Sequence, residues 1–284
     1  MKYSLTLRAA LLSLLLLAVL VLGWHLATLP AGGAASTAAP VDAEYAALMG
    51  QSAAAPKTGG FPTPAQFGAA AVQHLSHPFY DNGPNDKGIG IQLAYSLGRV
   101  GLGFLFAAVV AIPLGFVLGM LPLMQRALNP FVQLLKPISP LAWMPLALYT
   151  IKDSSLSGIF VIFICALWPM LMNTAFGVAS VRRDWRNVAR TLEVGPLRTA
   201  ALVILPAAAP TILTGMRISM GIAWLVIVAA EMLVGGTGIG YFVWNEWNNL
   251  SLTSVLFAIV VIGLVGMLLD LLLARLQALV SYVE

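Results

Sequence analysis

The chain alternates between long apolar runs and short polar segments, and the runs are long enough to cross a membrane. A helix rises about 1.5 Å per residue, so about 20 apolar residues span the hydrocarbon core. On this pattern we predict an all-α membrane protein with six transmembrane helices. Their expected bounds are 9–29, 93–121, 128–151, 156–179, 207–234 and 253–280.

Composition supports a membrane protein and argues against a water-soluble one. Of the 284 residues, 60% are hydrophobic and only 9% are charged, and the mean hydropathy is +0.90. Soluble domains carry about a quarter charged residues. The single cysteine, Cys165, lies inside an apolar run, so the chain cannot build a disulfide framework.

The first apolar run has two interpretations. A basic start, an apolar stretch and the small residues that follow are also typical of a cleavable signal peptide. The run is longer than a usual signal core, which favours a retained anchor. The expected organisation is therefore an N-terminal transmembrane helix over 1–29, a periplasmic linker over 30–90 and a transmembrane domain over 91–284. The start of the linker is rich in Ala, Gly, Pro and Ser, which indicates a flexible tether.

The distribution of basic residues predicts the orientation. With the N-terminus inside, ten Lys and Arg residues lie in cytoplasmic segments and three lie outside, which is a clear positive-inside bias. The inside group is Lys2, Arg8, Arg126, Lys136, Arg182, Arg183, Arg186, Arg190, Arg198 and Arg275, and the outside group is Lys57, Lys87 and Lys152. This topology explains the pI of 9.4 without a nucleic-acid partner, and it makes the segment 180–206 a cytoplasmic loop.

That loop is the segment most informative about mechanism. Arginines at its start and apolar residues after them predict a short amphipathic helix, which Gly195-Pro196 should end. A second apolar run, 200–205, should stop at Pro206, where the fifth span begins. Such a helix at the membrane surface suits contact with a soluble motor.

The loop resembles the EAA loop of ABC importer permeases. Asn187, Val188 and Ala189 occupy the places of Glu-Ala-Ala, and Val203, Leu205 and Pro206 match the closing pattern. Two departures are Asn187 for the acid and Glu193 where the family more often has Gly, with Gly195 two residues later. The resemblance implies that the ATPase-coupling residues are Asn187, Val188, Ala189, Leu192, Glu193, Gly195, Leu205 and Pro206.

Two further stretches resemble the nitrate, sulfonate and bicarbonate branch of these permeases. The segment 77–99 is similar to the one before the second span of nitrate permeases, and 229–246 is similar to their fifth-span exit. The resemblance implies a type I ABC importer permease for nitrate, with nitrite as a second cargo. The same machine carrying bicarbonate, cyanate or a sulfonate such as taurine remains an alternative.

The resemblance also implies partners. The chain has no G-x-x-x-x-G-K-[ST] sequence, so separate ATP-binding subunits must supply the ATPase chemistry and this chain is not expected to be an enzyme. A solute-binding protein outside the membrane and a second permease copy complete the expected assembly in the bacterial inner membrane. Membrane lipid is the remaining partner, and no cofactor is predicted.

Charged and aromatic residues within the spans are candidate pathway residues. A charge within a span is costly and by default faces a pathway or a partner, so Arg217, Trp224 and Glu231 are assigned to the translocation path. Anchoring of Arg217 and simple packing of Trp224 are the alternatives. Small residues four apart, at Gly115 and Gly119 and at Gly215, Ser219 and Ala223, predict close helix packing.

Other sites and functions have weaker support. His74 and His77 could hold a metal ion, but no further ligand lies nearby in sequence, so no metal site is predicted. The Gly-rich stretch 235–240 follows a membrane helix rather than a strand, which excludes a dinucleotide site and favours a flexible turn. An ion-coupled secondary transporter would require polar groups deep in the spans and usually a repeat of the helix pattern, and neither is found.

Overall fold

A computed structural model describes residues 2–29, 61–83 and 85–280 of the chain. These residues are helical, and the only strand-like feature among them is a single bridge between Asp81 and Lys87. The helices are α1 (Lys2–Ala27), α2 (Pro64–Ser76), α3 (Ile89–Met120), α4 (Pro122–Leu135), α5 (Pro140–Ile151), α6 (Ser154–Ala179), α7 (Arg183–Thr191), α8 (Pro196–Thr199), α9 (Leu205–Val234), α10 (Ile239–Asn248) and α11 (Leu252–Val280), with a π-helical turn over Ala200–Ile204 between α8 and α9.

Five stretches of helix are long and apolar enough to cross a membrane, and a bent pair of shorter helices makes a sixth possible span. The pair is α4 and α5, which meet at 90°. Pro140 is the first residue of α5, where its missing N–H costs nothing. The predicted third span is therefore a broken one, and the other five spans follow the expected bounds to within a few residues, apart from the earlier start of the first.

The chain divides into two compact units, and the smaller comprises residues 1–73 and 251–257. Within it, Trp24 near the end of α1 donates an indole N–H to the Pro62 carbonyl at 2.9 Å. The same ring meets Phe61 and Phe67 edge-on. The apolar side chains of α1 are exposed over its length, for example Leu11 and Leu20, as expected of a helix whose solvent is lipid.

The larger unit comprises residues 74–250 and 258–284, and α6 is its central helix, packed against both α3 and α9. The small residues predicted to allow close packing are at these contacts. A Cβ on Gly115 would lie 2.7 Å from the Leu171 carbonyl oxygen, and one on Gly215 would lie 2.6 Å from Asn173 Cβ. Ser219 donates its hydroxyl to the Ala166 carbonyl at 2.6 Å. The prediction of close packing at these positions is confirmed.

The segment predicted as a linker, 30–90, is described only from residue 61 onwards, apart from residue 84. Residues 30–60, where most of the predicted tether falls, lie outside the described residues, whereas Pro64 begins α2. Beyond α2 the chain makes a tight turn in which Gly88 donates to the Tyr80 carbonyl at 2.8 Å and Lys87 pairs with Asp81 at 3.1 Å. The Lys87 ammonium lowers the pKa of Asp81 below its ordinary value. Burial and the nearby Asp86 raise the pKa of Tyr80 to about 12.

The loop over 180–206 also differs from its prediction. The amphipathic helix begins at Arg183 and ends at Thr191, before Gly195-Pro196. The chain turns instead at Glu193, which has a φ of 52°. Pro196 starts α8, and helix then continues from Pro196 to Val234. Pro206 therefore does not separate two elements. It lacks the N–H that would bond within the helix, and a π-helical turn over Ala200–Ile204 comes just before it.

Candidate functional site

The short helix α7 presents two different faces. Trp185, Val188 and the following Leu192 form an exposed apolar face, with 57% of Val188 and 70% of Leu192 accessible. Arg183, Arg186 and Arg190 lie on the opposite face, because residues three and four apart share one side of a helix. Ala189 lies between the two faces and is buried. An exposed apolar face on a charged helix is typical of a docking surface for a partner.

The other predicted coupling residues lie around this helix. Asn187 is exposed beside the arginine face. Gly195 caps the start of α8 with a φ of −59°, so it does not use the conformational freedom of glycine. Leu205 and Pro206 form the first turn of α9, and both are exposed.

Glu193 occupies the conformation that the family's glycine would favour. Its φ of 52° lies in the left-handed region, which costs a residue with a Cβ roughly 1 kcal/mol. Its amide donates to the Arg190 carbonyl at 3.0 Å, and Val194 donates to the Ala189 carbonyl at 3.0 Å. These two bonds close the end of α7 and so hold Glu193 in the turn.

A buried cluster joins the end of α6 to the start of the long helix α9. Val178 is in the last turn of α6 and Val181 follows that helix, whereas Ile204, Ala208 and Ile212 come from the π-helical turn and α9. Close-packed interiors transmit displacement because they compress little. α7 itself contacts the π-helical turn, which contributes Ile204 to the cluster.

The three predicted pathway residues recur every seven positions along α9 and so share one stripe of that helix. Arg217 forms a two-pronged ion pair with Asp270 of α11, in which Nε contacts Oδ1 and NH2 lies 2.6 Å from Oδ2. Both side chains remain almost half exposed. Trp224 is buried and donates its indole N–H to the Ile262 carbonyl at 3.0 Å. Arg217 and Trp224 therefore both face α11.

Glu231 belongs to a polar cluster that sequence reasoning did not predict. Its carboxylate is 4% exposed and accepts hydrogen bonds from Ser96, Arg99 and the Gly240 amide. The distance from Arg99 NH1 to Glu231 Oε1 is 2.8 Å. Arg99 also donates to Ser155 at 3.0 Å and to the Thr237 carbonyl at 2.6 Å. Arg99 of α3 thus bonds to α6, to α9 and to the stretch that follows α9, so the cluster links these segments.

This polar cluster also binds the Gly-rich stretch 235–240, so the stretch is held by hydrogen bonds and the prediction of a flexible turn is wrong there. Gln92 accepts from the Gly238 amide at 2.5 Å, and Ser96 accepts from the Ile239 amide at 2.9 Å. A Cβ on Gly238, whose φ is 158°, would collide with the Glu231 carboxylate. The signal in the sequence was the presence of two opposite charges, Arg99 near the start of one span and Glu231 near the end of another.

The polar turn before α3 is attached to α10. Tyr241 donates its hydroxyl to the Asn85 side chain at 2.9 Å, and Asn245 donates to the Asn85 carbonyl at 3.4 Å. His74 meets the ring of Phe242 edge-on. Burial of the imidazole lowers the pKa of His74 below 6.5, and the nearby carboxylate of Glu246 opposes that shift. These contacts join the turn before α3 to α10 within the larger unit.

Comparison with known proteins identifies the family. The family model for the binding-protein-dependent transport system inner membrane component matches residues 111–282, more than half of the chain. The chain belongs to this family. Members are permease subunits rather than enzymes, and the ATP-binding subunits and the substrate-binding protein of such an importer are separate chains.

Several curated relatives are similar over most of their length. The chain is 46% identical over 223 residues to the nitrate import permease protein NrtB of Synechocystis sp., covering 78% of this chain and 81% of the relative. It is 48% identical over 193 residues to NrtB of Leptolyngbya laminosa, with 68% and 69% covered. The bicarbonate transport system permease protein CmpB of Synechocystis sp. is 42% identical over 208 residues, with 73% and 74% covered.

Among solved structures, a chain of the inward-facing MetNI methionine ABC transporter has the same fold. The TM-score is 0.60 at 15% identity, and the match covers 66% of this chain and 94% of that one. The permease is therefore a multi-pass membrane protein with the fold of a type I ABC importer permease, as predicted.

Proposed function

We propose that this permease forms part of an ATP-driven, binding-protein-dependent importer of nitrate, with nitrite as a second cargo. The observation that carries the proposal is the 46% and 48% identity to two nitrate import permeases. An intramembrane arginine, Arg217, suits an anionic cargo.

Bicarbonate is the second candidate cargo, because two bicarbonate permeases are 42% and 43% identical to the chain. That difference in identity from the nitrate permeases is small. Nitrate and bicarbonate are both small planar monoanions, so a pathway suited to one is close in size and charge to a pathway for the other. The cargo is therefore decided by the uptake experiment below.

The coupling residues are those around α7. ATP-binding subunits would dock on the apolar face formed by Trp185, Val188 and Leu192, which is exposed in the single chain. Movement of α7 on ATP binding would pass through the buried cluster at Val181 and Ile204 to α9. Because helix is continuous from Pro196 to Val234, a push at its cytoplasmic end would tilt the span and open the path outward.

The path itself would lie between two copies of the chain. Arg217 and Asp270 keep 41% and 48% of their side chains exposed at a depth where lipid would be a costly neighbour. A homodimer that encloses water beside this pair would remove that cost. In this arrangement Arg217 attracts the anion. Trp224 and Glu231 are buried, and they position the stripe of α9 that carries Arg217.

The assembly would sit in the bacterial inner membrane with its N-terminus in the cytoplasm. The excess of Lys and Arg in the segments assigned to the inside supports that orientation. It places α7 on the side where ATP is available and α10 on the side of the binding protein.

The test is anion uptake by cells that lack the gene, with and without the gene restored. The proposal is supported if restoring the gene restores ATP-dependent nitrate uptake. Unlabelled nitrite should compete with that uptake, whereas bicarbonate, cyanate and taurine should not. Nitrate uptake unchanged by the deletion would overturn the nitrate assignment. Restored bicarbonate uptake alone would support the second candidate.

A further inference from the structure

A basic groove lies beside α7, on the face opposite its apolar docking surface. The groove has a volume of about 580 Å³ and runs between α7 and the adjoining ends of α3, α4 and α6. Arg183, Arg186 and Arg190 line one side, and Met120 and Pro122 line the other. The groove thus combines three guanidinium groups with an apolar wall.

Among the residues that the structure describes, no acidic side chain neutralises the positive charge of the groove. Asp184, the nearest acid in sequence, pairs with Arg182 at 3.5 Å and does not line the groove. Arg186 donates to the Val181 carbonyl at 3.0 Å, so its charge remains uncompensated. Among the described residues Arg183 and Arg190 have no acidic partner within salt-bridge distance. Three clustered arginines without acids favour a bound anion.

The position of the groove indicates where that anion comes from. Met120 is the last residue of α3 and Ala179 is the last residue of α6, and both helices are membrane spans. The groove therefore lies at the level of the lipid headgroups, on the side assigned to the cytoplasm. Basic pockets between transmembrane helices on this side are suited to anionic headgroups.

The size of the groove separates a lipid from a small free anion. An inorganic anion such as nitrate is not much larger than a water molecule, which occupies roughly 30 Å³. It would leave most of about 580 Å³ unfilled. A phosphodiester headgroup with its glycerol and the first part of an acyl chain fills such a space, and the apolar wall would contact the chain.

We propose that this groove binds the headgroup of an anionic phospholipid from the inner leaflet. The phosphodiester would contact Arg183 and Arg190, and the acyl chain would lie along Met120 and Pro122. The inference rests on the proposed cytoplasmic position of α7. On this arrangement α7 is held by lipid on its arginine face while its apolar face remains free for the motor, so the lipid composition of the membrane would set how firmly the coupling helix is held.

The experiment is native mass spectrometry of the full-length chain titrated with phosphatidylglycerol or phosphatidylcholine. We expect the unaltered chain to retain phosphatidylglycerol in preference to phosphatidylcholine. Each arginine beside an anionic headgroup contributes roughly a fivefold gain in affinity. The double variant Arg183→Gln with Arg190→Gln should therefore bind phosphatidylglycerol roughly 30-fold more weakly.

The matched control is Arg126→Gln with Arg198→Gln, which removes the same charge from two exposed arginines outside the groove. Equal loss in both double variants would overturn the proposal, because the attraction would then be general. Displacement of the lipid by millimolar phosphate or nitrate would also overturn it, in favour of a small-anion site. The proposal would also be overturned if a groove variant kept the lipid but no longer copurified ATP-binding subunits. The arginine face would then be a contact for those subunits.

A second measurement needs no variant and so covers the case in which the substitutions impair folding. A photoreactive phosphatidylglycerol is cross-linked to the unaltered chain in vesicles, and the labelled peptides are mapped. Labelling within 119–125 or 183–190 is expected, and labelling confined to other segments would overturn the proposal. Neither readout depends on the cargo, so failure of nitrate uptake leaves the lipid assignment separately testable.

Discussion

Arg99 of α3 and Glu231 of α9 form a buried ion pair with an N–O distance of 2.8 Å, and the side chains are 12% and 4% exposed. The pair joins two spans at the same end where the Gly-rich stretch 235–240 leaves α9. Glu231 accepts from the Gly240 amide at 3.1 Å, and Arg99 donates to the Thr237 carbonyl. One ion pair therefore fixes both a helix contact and the loop that starts α10.

The first prediction concerns this pair. Replacing Glu231 with Ala should destabilise the protein by about 3 kcal/mol or more, because it leaves the buried Arg99 charge without its partner. The measurement is the thermal unfolding midpoint of the purified full-length chain. Glu231→Ala with Arg99→Ala should cost less than the sum of the single changes, since the two residues act as one unit. Glu246→Ala, on α10, is the control, and equal effects of Glu246→Ala and Glu231→Ala would contradict the role of the pair.

The second prediction concerns the α3–α6 contact. Gly115→Ala should destabilise the chain by about 1–3 kcal/mol, because its new methyl group would lie 2.7 Å from the Leu171 carbonyl oxygen. Gly101→Ala in the same helix is the matched control, since nothing lies within 4 Å of a Cβ there. It should be neutral or slightly stabilising. The measurement is the thermal unfolding midpoint of each variant. A Gly115→Ala variant as stable as Gly101→Ala would contradict the close contact at Gly115.

The third prediction concerns the apolar face of α7. Val188→Asp should abolish binding of ATP-binding subunits without unfolding the permease, because 57% of Val188 is accessible and its change leaves the core intact. The measurement is copurification of the ATP-binding subunits together with uptake. Thr191→Asp introduces the same charge on the same helix, away from the apolar face, and should retain copurification. Loss of the subunits in both variants would point to a general charge effect.

The fourth prediction separates two roles of Arg217. Arg217→Gln should lower anion uptake about tenfold, or about 1.4 kcal/mol, if its charge attracts the cargo. The exchange Arg217→Asp with Asp270→Arg keeps an ion pair between α9 and α11 but moves the positive charge to α11. Uptake that stays low while the unfolding midpoint recovers supports attraction by Arg217. Full recovery of uptake by the exchange would show that the pair acts only as a contact between α9 and α11.

The fifth prediction concerns the effect of pH on His74 of α2. Partial burial lowers the pKa of His74 below 6.5, so the folded state binds the proton less well than the unfolded state does. The contribution of neutral His74 to stability is therefore fully present above pH 6.5 and is lost as pH falls below that value. Unfolding midpoints between pH 5 and pH 8 should show this loss in the unaltered chain and less of it in His74→Gln. The control is His77→Gln, at an exposed position, and a loss unchanged in His74→Gln would contradict the prediction.

The sequence alone determined the features that depend on local composition. Apolar length determined the spans, because hydrocarbon thickness sets the number of residues required. Small residues four apart determined which helix faces pack closely, since Gly115 and Gly215 leave room for a neighbouring backbone. Arginines followed by apolar residues in the segment 180–206 also indicated the helix near Asn187, although its end was predicted at Gly195 and lies at Thr191.

Only the tertiary structure decided which side chains meet across the sequence. Arg99 and Glu231 are separated by 132 residues, and Arg217 and Asp270 by 53, so no local pattern connects either pair. These contacts depend on how helices pack together, and packing is set by the shapes of all the surfaces that meet.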